Sequence, residues 1–274
     1  MKIQVPDVDP IVDLISLVLH SGGLPGRRPL SVLLCAPSGN GKTRITDRFE
    51  NGPGIHRSGF MTRSGLVYLL REHDRWKTLH HIILTDFTSS MAGTSETGLA
   101  LQTIIMLMIY DGLSDYNTSF IRGLHLPPGV SIKVGIIAGV VPSIIRRRRL
   151  EWEENGFLRR FLPVSYRYTS EQMKGVKVLS LQGRNVNYPS VSLNTQLWGE
   201  NITVSDQLIN PFIPLTEGES TADQQIRSLV LAHALRRGST KVEDQDVERV
   251  MRLSKYITYN MPELKSQTLE LPDD

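Results

Sequence analysis

Residues 31–43 read Ser31-Val32-Leu33-Leu34-Cys35-Ala36-Pro37-Ser38-Gly39-Asn40-Gly41-Lys42-Thr43. The first five form a short apolar, β-leaning run between Pro29 and Pro37, which predicts a buried strand. Ala36 to Thr43 then fit the phosphate-loop pattern, with Ala36 in the place of the first glycine. Small residues let backbone N–H groups curl around β- and γ-phosphates, and a helix opening at Gly41-Lys42-Thr43 adds a favourable dipole. Lys42 brings a point charge to the phosphates, and the Thr43 hydroxyl can ligate Mg²⁺. A glycine-rich turn could contain Gly-Lys-Thr by chance, but the strand before and the helix after favour the phosphate loop. Pro37, Ser38, Gly39, Asn40, Gly41, Lys42 and Thr43 are therefore the expected nucleotide-binding residues, with Thr43 also a metal ligand.

Outward from this stretch, apolar runs alternate with helical spacing. Upstream, Ile11, Leu14, Ile15, Val18 and Leu19 recur as one helix face, and Ser21-Gly22-Gly23 ends it. Downstream, His81-Ile82-Ile83-Leu84-Thr85 predicts a second strand ending at Asp86, and 132–138 predicts a third ending at Gly139. Helical patterns cover 64–72 and 98–110. This alternation predicts an α/β fold: a three-layer core whose mainly parallel sheet is covered on both faces. Past Tyr168, several Gly, Asn and Ser residues and no sustained periodicity predict an irregular connector over 169–221. Helices return at Ala222, with Ile226, Leu229, Val230, His233 and Ala234 on one face before Arg236-Arg237-Gly238. Another begins near Val242-Glu243-Asp244, and the tail from Met261 is expected to fray. The expected division is an N-terminal helix or extension over 1–30, the phosphate-loop core over 31–168, the connector, and a small helical lid with its tail over 222–274.

The chain has 274 residues, 40% of them hydrophobic, and a formal net charge of +3, which together exclude chain-wide disorder. That length supports a core without disulfides or metals. The single cysteine cannot form an internal disulfide, so Cys35 is expected to pack as a small apolar residue in a reducing compartment. No charge-free run approaches the roughly 20 apolar residues that span a membrane. The opening Met1-Lys2-Ile3-Gln4-Val5-Pro6-Asp7 lacks a signal-peptide pattern. A cytoplasmic protein without membrane contact is the expectation. The small positive excess does not specify a nucleic-acid partner; the placement of the arginines bears on that more directly.

A phosphate-loop NTPase needs an acid at the end of a neighbouring strand to hold Mg²⁺, and Asp86 is placed to serve. Its alternative role is to cap a following turn; the apolar run before it favours the metal. The next residue is Phe87, where many such ATPases place a glutamate to polarise water, and phenylalanine cannot accept a proton. Glu96 is a candidate substitute. Two arginine groups follow. In Arg146-Arg147-Arg148-Arg149, helical spacing pairs Arg147 with Glu151 and Arg149 with Glu153, which suits a salt-bridged surface as well as nucleic-acid contact. In Gly156-Phe157-Leu158-Arg159-Arg160-Phe161-Leu162-Pro163, bulky apolar residues anchor the segment while one arginine projects outward. Such an arginine can neutralise charge developing on a neighbour's γ-phosphate, but position alone favours two ordinary surface arginines beside a buried Phe-Leu-Phe cluster.

Taken together, Ala36–Thr43, the strand ending in Asp86, the strand ending at Gly139 and Gly156–Pro163 resemble the AAA+ class of ring-forming ATPases. The helical segment from Arg227 to Leu235 is similar to the lid helix of the minichromosome-maintenance-like branch, and makes Arg227 the candidate γ-phosphate sensor. Asp86-Phe87-Thr88-Ser89, with Ile109-Tyr110-Asp111-Gly112, also resembles ATPases of phages and mobile elements. The resemblance implies ATP with Mg²⁺, and the absence of a guanine-specific Asn-Lys-x-Asp segment agrees. It implies a homo-oligomeric ring or filament in which Arg159 or Arg160 completes the next copy's site. It also implies action on DNA or a DNA-bound protein, as in helicase loading, transposition or mobile-element processing, with Arg146, Arg147, Arg148 and Arg149 toward the phosphate backbone. The sequence departs from the class at Phe87 and at Val140 and Val141, where a polar sensor is expected; Ser143 is the nearest substitute. Two other functions stay open: a nucleotide-dependent scaffold or switch with little hydrolysis, and a monomeric phosphotransferase.

Overall fold

The computed structural model describes residues 6–49, 52–72, 77–91, 96–118, 121, 124, 126–184, 188–216 and 221–259. Its centre is a five-stranded, all-parallel sheet in the order β2-β3-β6-β1-β7. These strands are β1 (Val32–Cys35), β2 (Ile55–Ser58), β3 (His81–Leu84), β6 (Gly135–Val140) and β7 (Leu162–Ser165). Two further strands, β4 (Leu113–Ser114) and β5 (Ser131–Ile132), pair antiparallel to each other outside the main sheet. Every residue of β1, β3, β6 and β7 is buried, which is why three of these strands read as continuous apolar runs rather than alternating ones.

Three strand expectations change in the structure. Ile132 belongs to the small two-stranded sheet, and the third strand of the main sheet runs from Gly135 to Val140. Asp86 does not follow a strand neighbouring β1, because β6 lies between β1 and β3. The edge strands β2 and β7 were not legible: Ile-His-Arg-Ser is short and polar, and β7 contains Pro163. Proline is tolerated there because β7 is an edge. Its outer side is covered instead by the chain around Tyr256–Thr258, where Ser165 N–H donates to Tyr256 O at 2.9 Å and Thr258 N–H to Pro163 O at 2.9 Å. That pairing removes an exposed strand edge.

Helices cover both faces. On one face α1 (Asp9–His20) and α2 (Lys42–Asp47) share a core with α11 (Ala222–Arg237) and α12 (Asp244–Ser254). On the other, α3 (Arg63–Arg71), α5 (Glu96–Met106) and α7 (Pro142–Glu154) enclose a second core. The C-terminal helices pack on each other and on α1, with Asp13 bridging Arg236 of α11 and Arg249 of α12. Asp246 caps α12 and accepts from His233 at 2.6 Å and Arg237 at 3.0 Å. Burial alone would raise its pKa, but the bonds from Arg237 and His233 hold that carboxyl below its usual value. None of the helices among the described residues is long and apolar enough to cross a membrane.

The expected irregular connector is not irregular where it begins. Ser170–Leu181 forms α8, opened by a capping box in which Thr169 accepts from Gln172 N and the Gln172 side chain returns to Thr169 N. Thr-x-x-Gln was the readable signal; the buried Gly175 and a weak apolar stripe concealed the helix. Two short helices, α9 (Asp206–Ile209) and α10 (Ile213–Thr216), follow before α11. The tail from Met261 lies outside the described residues.

Candidate functional site

All five main strands run in the same direction, so the segments that leave them share one end of the sheet. Cys35 pairs with Val140, and Leu84 with Ala138. Asp86 is therefore level with the mouth of the loop after β1, displaced by two strand spacings, about 10 Å. In open α/β sheets this carboxyl edge is where ligands bind.

Glycines shape the loop from Ala36 to Thr43. Gly39 and Gly41 have φ of +81° and +70°, the left-handed region that favours glycine. At Gly41 a side chain is excluded twice, since a Cβ would also collide with the Tyr168 hydroxyl. Pro37, Ser38, Gly39 and Thr43 are exposed, and Lys42 is half-buried. The Lys42 ammonium bends over the loop and donates to Ala36 O at 2.6 Å and Pro37 O at 3.0 Å. Burial lowers its pKa. An ammonium held by two carbonyl dipoles keeps its charge at the loop and can exchange those weak acceptors for phosphate oxygens.

Asn40 does something different from its neighbours. Only 4% exposed, it accepts the Tyr168 N–H at 2.6 Å through Oδ1, and its backbone carbonyl accepts the Tyr166 hydroxyl at 2.8 Å. Its Nδ2 donates to Ser38 O at 3.3 Å. Met173 of α8 lies 3.5 Å from where a Gly39 Cβ would stand. The loop is thus clamped by the chain leaving β7. Sequence reasoning missed Tyr166, Tyr168 and Met173, because contacts more than 120 residues away leave no local pattern.

Asp86 is exposed and caps α4 (Phe87–Met91): Ser89 N–H donates to Oδ1 at 3.0 Å and the Ser89 hydroxyl to Oδ2 at 2.5 Å. The turn-capping role is therefore present, and each oxygen still has a lone pair for another donor or a cation. Phe87 is fully buried, 6.1 Å centroid to centroid from Phe157 and 6.5 Å from Trp152. The position expected to hold a catalytic glutamate is an aromatic core position. The side chain of Glu96 lies outside the described residues, and Ser143 is exposed in the first turn of α7.

The arginine run divides. Arg149 pairs with Glu153 at 2.7 Å, as the spacing predicts, but Glu151 is engaged by Arg148 at 3.4 Å rather than by Arg147. Arg146 and Arg147 are exposed. Burial pushes the Cys35 thiol up to about 12, against the opposing pull of Lys42 and Arg146. Arg146 lies near the start of α7, which leaves β6 at this same edge, within electrostatic reach of Cys35 at the end of β1.

Arg159, Arg160 and Arg227 gather at the opposite, amino end of the sheet. Arg159 is exposed and Arg160 half-buried between Leu158 and Phe161, so one arginine does project. The Arg159 carbonyl accepts the Thr221 hydroxyl at 2.8 Å and Gln225 Nε2 at 3.4 Å, tying this segment to the start of α11. Arg227 pairs with Asp206 at 3.0 Å and repels Arg27, in the chain leading into β1. The structure thus brings Arg227 toward Arg159 and Arg160, not to the phosphate loop of its own chain.

No protein-family profile matches the chain, and no curated protein matches it in sequence. Among solved structures, 208 chains resemble it, so the architecture is widely shared. One is a "putative ATPase" from Cytophaga hutchinsonii, with 13% identity and a TM-score of 0.50 over 96% of this chain and 90% of that one. At that identity the likeness speaks for the fold alone.

Proposed function

We propose that this protein binds ATP in the loop Pro37–Thr43 and couples its binding or hydrolysis to assembly with further copies of itself and to action on DNA or a DNA-bound protein. The observation that carries the reading is the loop itself: two left-handed glycines and a half-buried lysine ammonium at the carboxyl edge of a parallel sheet. Backbone N–H groups of the loop would hold the phosphates, with Lys42 neutralising them. Thr43 and Asp86 would hold Mg²⁺, whose chemistry is to offset charge on the β- and γ-phosphates. Arg159 and Arg160 lie too far from their own loop to serve it, since β7 separates them from it. A head-to-tail neighbour would instead present its loop to them, and Arg227 faces the same way.

Phe87 favours a second reading, a nucleotide-dependent switch with slow turnover. The position after Asp86 holds a buried aromatic that cannot be exchanged without opening the core.

The test is ATP binding and hydrolysis by the wild type and Lys42→Ala, with and without DNA. Lys42-dependent binding supports the site, and robust Lys42-dependent turnover eliminates the slow switch. Equal binding by both proteins would sink the nucleotide reading. DNA affinity that does not fall with rising salt would argue against backbone contacts. A strict monomer that phosphorylates a small acceptor would replace assembly with phosphotransfer.

A further inference from the structure

Tyr110 and Asp111 belong to a sequence motif that the nucleotide loop leaves unexplained, and the structure places them at the arginine end of the sheet. Helix α5 does not stop at Met106 but widens into one π turn over Leu107–Asp111, closed by Gly112 N–H donating to Leu107 O at 2.7 Å. Such widened turns re-aim the side chains that follow and recur at functional sites. Here the turn aims the Tyr110 ring between two arginines. The Arg28 guanidinium carbon lies 4.1 Å from the ring centroid and that of Arg160 lies 4.8 Å from it.

A ring between two guanidinium groups is an unusual way to hold two like charges. Among the described residues, neither Arg28 nor Arg160 makes an ion pair with a carboxylate. Arg160 donates one bond, from Nη1 to Gly156 O at 2.6 Å, while its buried Nε has no partner among the described residues. Desolvation and repulsion from Arg159 and Arg28 lower its pKa, and Asp111 opposes them. An arginine fixed by an aromatic face rather than by a carboxylate keeps its charge and leaves donor edges for a bidentate acceptor. That acceptor cannot be the phosphate of its own chain. Arg28 and Arg160 precede β1 and β7, whereas the loop follows β1, so the length of the sheet lies between them.

We propose that Tyr110 is a positioning residue which presents Arg28 and Arg160 together to the phosphate of a nucleotide bound by a second copy of this chain. The inference rests on the nucleotide reading above and adds to it Arg28, Tyr110 and the purpose of the π turn. Loss of the ring should release both guanidinium groups, whereas loss of the hydroxyl alone should not.

Tyr110→Leu, Tyr110→Phe, Arg28→Ala and Arg160→Ala would be compared with the wild type in two measurements. Titration with a fluorescent ATP analogue at low protein concentration reads each chain's own loop, and light scattering with saturating ATP reads assembly. Tyr110→Leu and Arg160→Ala should weaken ATP-dependent assembly about tenfold or more, a far larger effect than on analogue affinity at low protein concentration. Arg28→Ala, in an exposed segment whose loss leaves the core intact, should weaken it severalfold. Tyr110→Phe should assemble as the wild type does. Wild-type-like assembly by Tyr110→Leu or by Arg28→Ala would overturn the proposal, as would a wild type that stays monomeric with ATP bound. Those outcomes would leave the loop reading standing, because Lys42→Ala decides that separately.

Discussion

The Asn40 side chain accepts the backbone N–H of Tyr168 at 2.6 Å, fastening the loop Ala36–Thr43 to the chain that leaves the edge strand β7. A residue that the loop pattern leaves unspecified is thereby the one that fixes the loop's position. The same strand carries the arginine segment at its other end, so both halves of the proposed site hang on β7.

Replacing Asn40 separates support from charge. Asn40→Ala leaves a buried N–H unsatisfied and should lower stability by about 1–3 kcal/mol, with weaker ATP-analogue binding. Asn40→Asp keeps the acceptor but sets a negative charge beside the phosphates. It should retain most of the melting temperature while losing nucleotide affinity. Equal affinities for Asp and wild type would contradict the placement.

Restoring a glutamate after Asp86 should fail. Phe87→Glu would bury a carboxylate against Trp152, Phe157 and Phe161 without a charge partner among these neighbours. A loss of about 4 kcal/mol or more is expected from the missing ring and the stranded charge together. Phe87→Leu should cost about 1–2 kcal/mol. Urea denaturation distinguishes them; a stable, more active Phe87→Glu would refute the core assignment.

Stability should fall on mild acidification. Burial lowers the His81 pKa to about 3 and that of His20 to about 4, although each is held by a backbone carbonyl, Leu30 O at 3.1 Å and Ser16 O at 2.7 Å. Unfolded histidine takes up its proton near pH 6.5. Both contributions are therefore complete above that pH and are lost as pH drops toward the folded values. The slope is about 1.4 kcal/mol per pH unit for each histidine. Urea midpoints at pH 7.5 and pH 5.0 test this; equal midpoints would show the two rings to be solvated.

Two arginines of one run should behave differently. Arg149→Ala removes a half-exposed pair with Glu153 and should change stability by less than about 1 kcal/mol, leaving nucleotide affinity alone. Arg146→Ala should weaken ATP-analogue binding several-fold, and more at low salt than at high salt. Identical titrations for the two variants would remove Arg146 from the loop's surroundings.

Much of the fold was legible because it is local. The run Ser31–Cys35 and the Gly-Asn-Gly-Lys-Thr that follows fixed a strand, a turn and a helix start through backbone preferences alone. The edge strands were not legible: β2 is polar and β7 contains a proline, and each is a strand only because a neighbour supplies its hydrogen bonds. Helix α8 was missed despite the Thr169–Gln172 cap, since its few apolar positions match no face until Met173 meets the loop.

The sequence by itself determined a strand, a glycine turn and a helix start over Ser31–Thr43 that match the phosphate-loop pattern, and that Phe87 stands where a glutamate was expected. Local chemistry suffices for each, because left-handed glycines, a lysine at the helix start and the inability of a phenyl ring to accept a proton need no neighbours. Only the tertiary structure decided that β6 separates β3 from β1, that the Asn40 side chain clamps the loop to the chain after β7, and that Arg28, Arg159, Arg160 and Arg227 share the end opposite the loop. Those are relations between residues dozens to more than a hundred positions apart, set by the order of strands in the sheet and by burial, and no spacing along the chain encodes them.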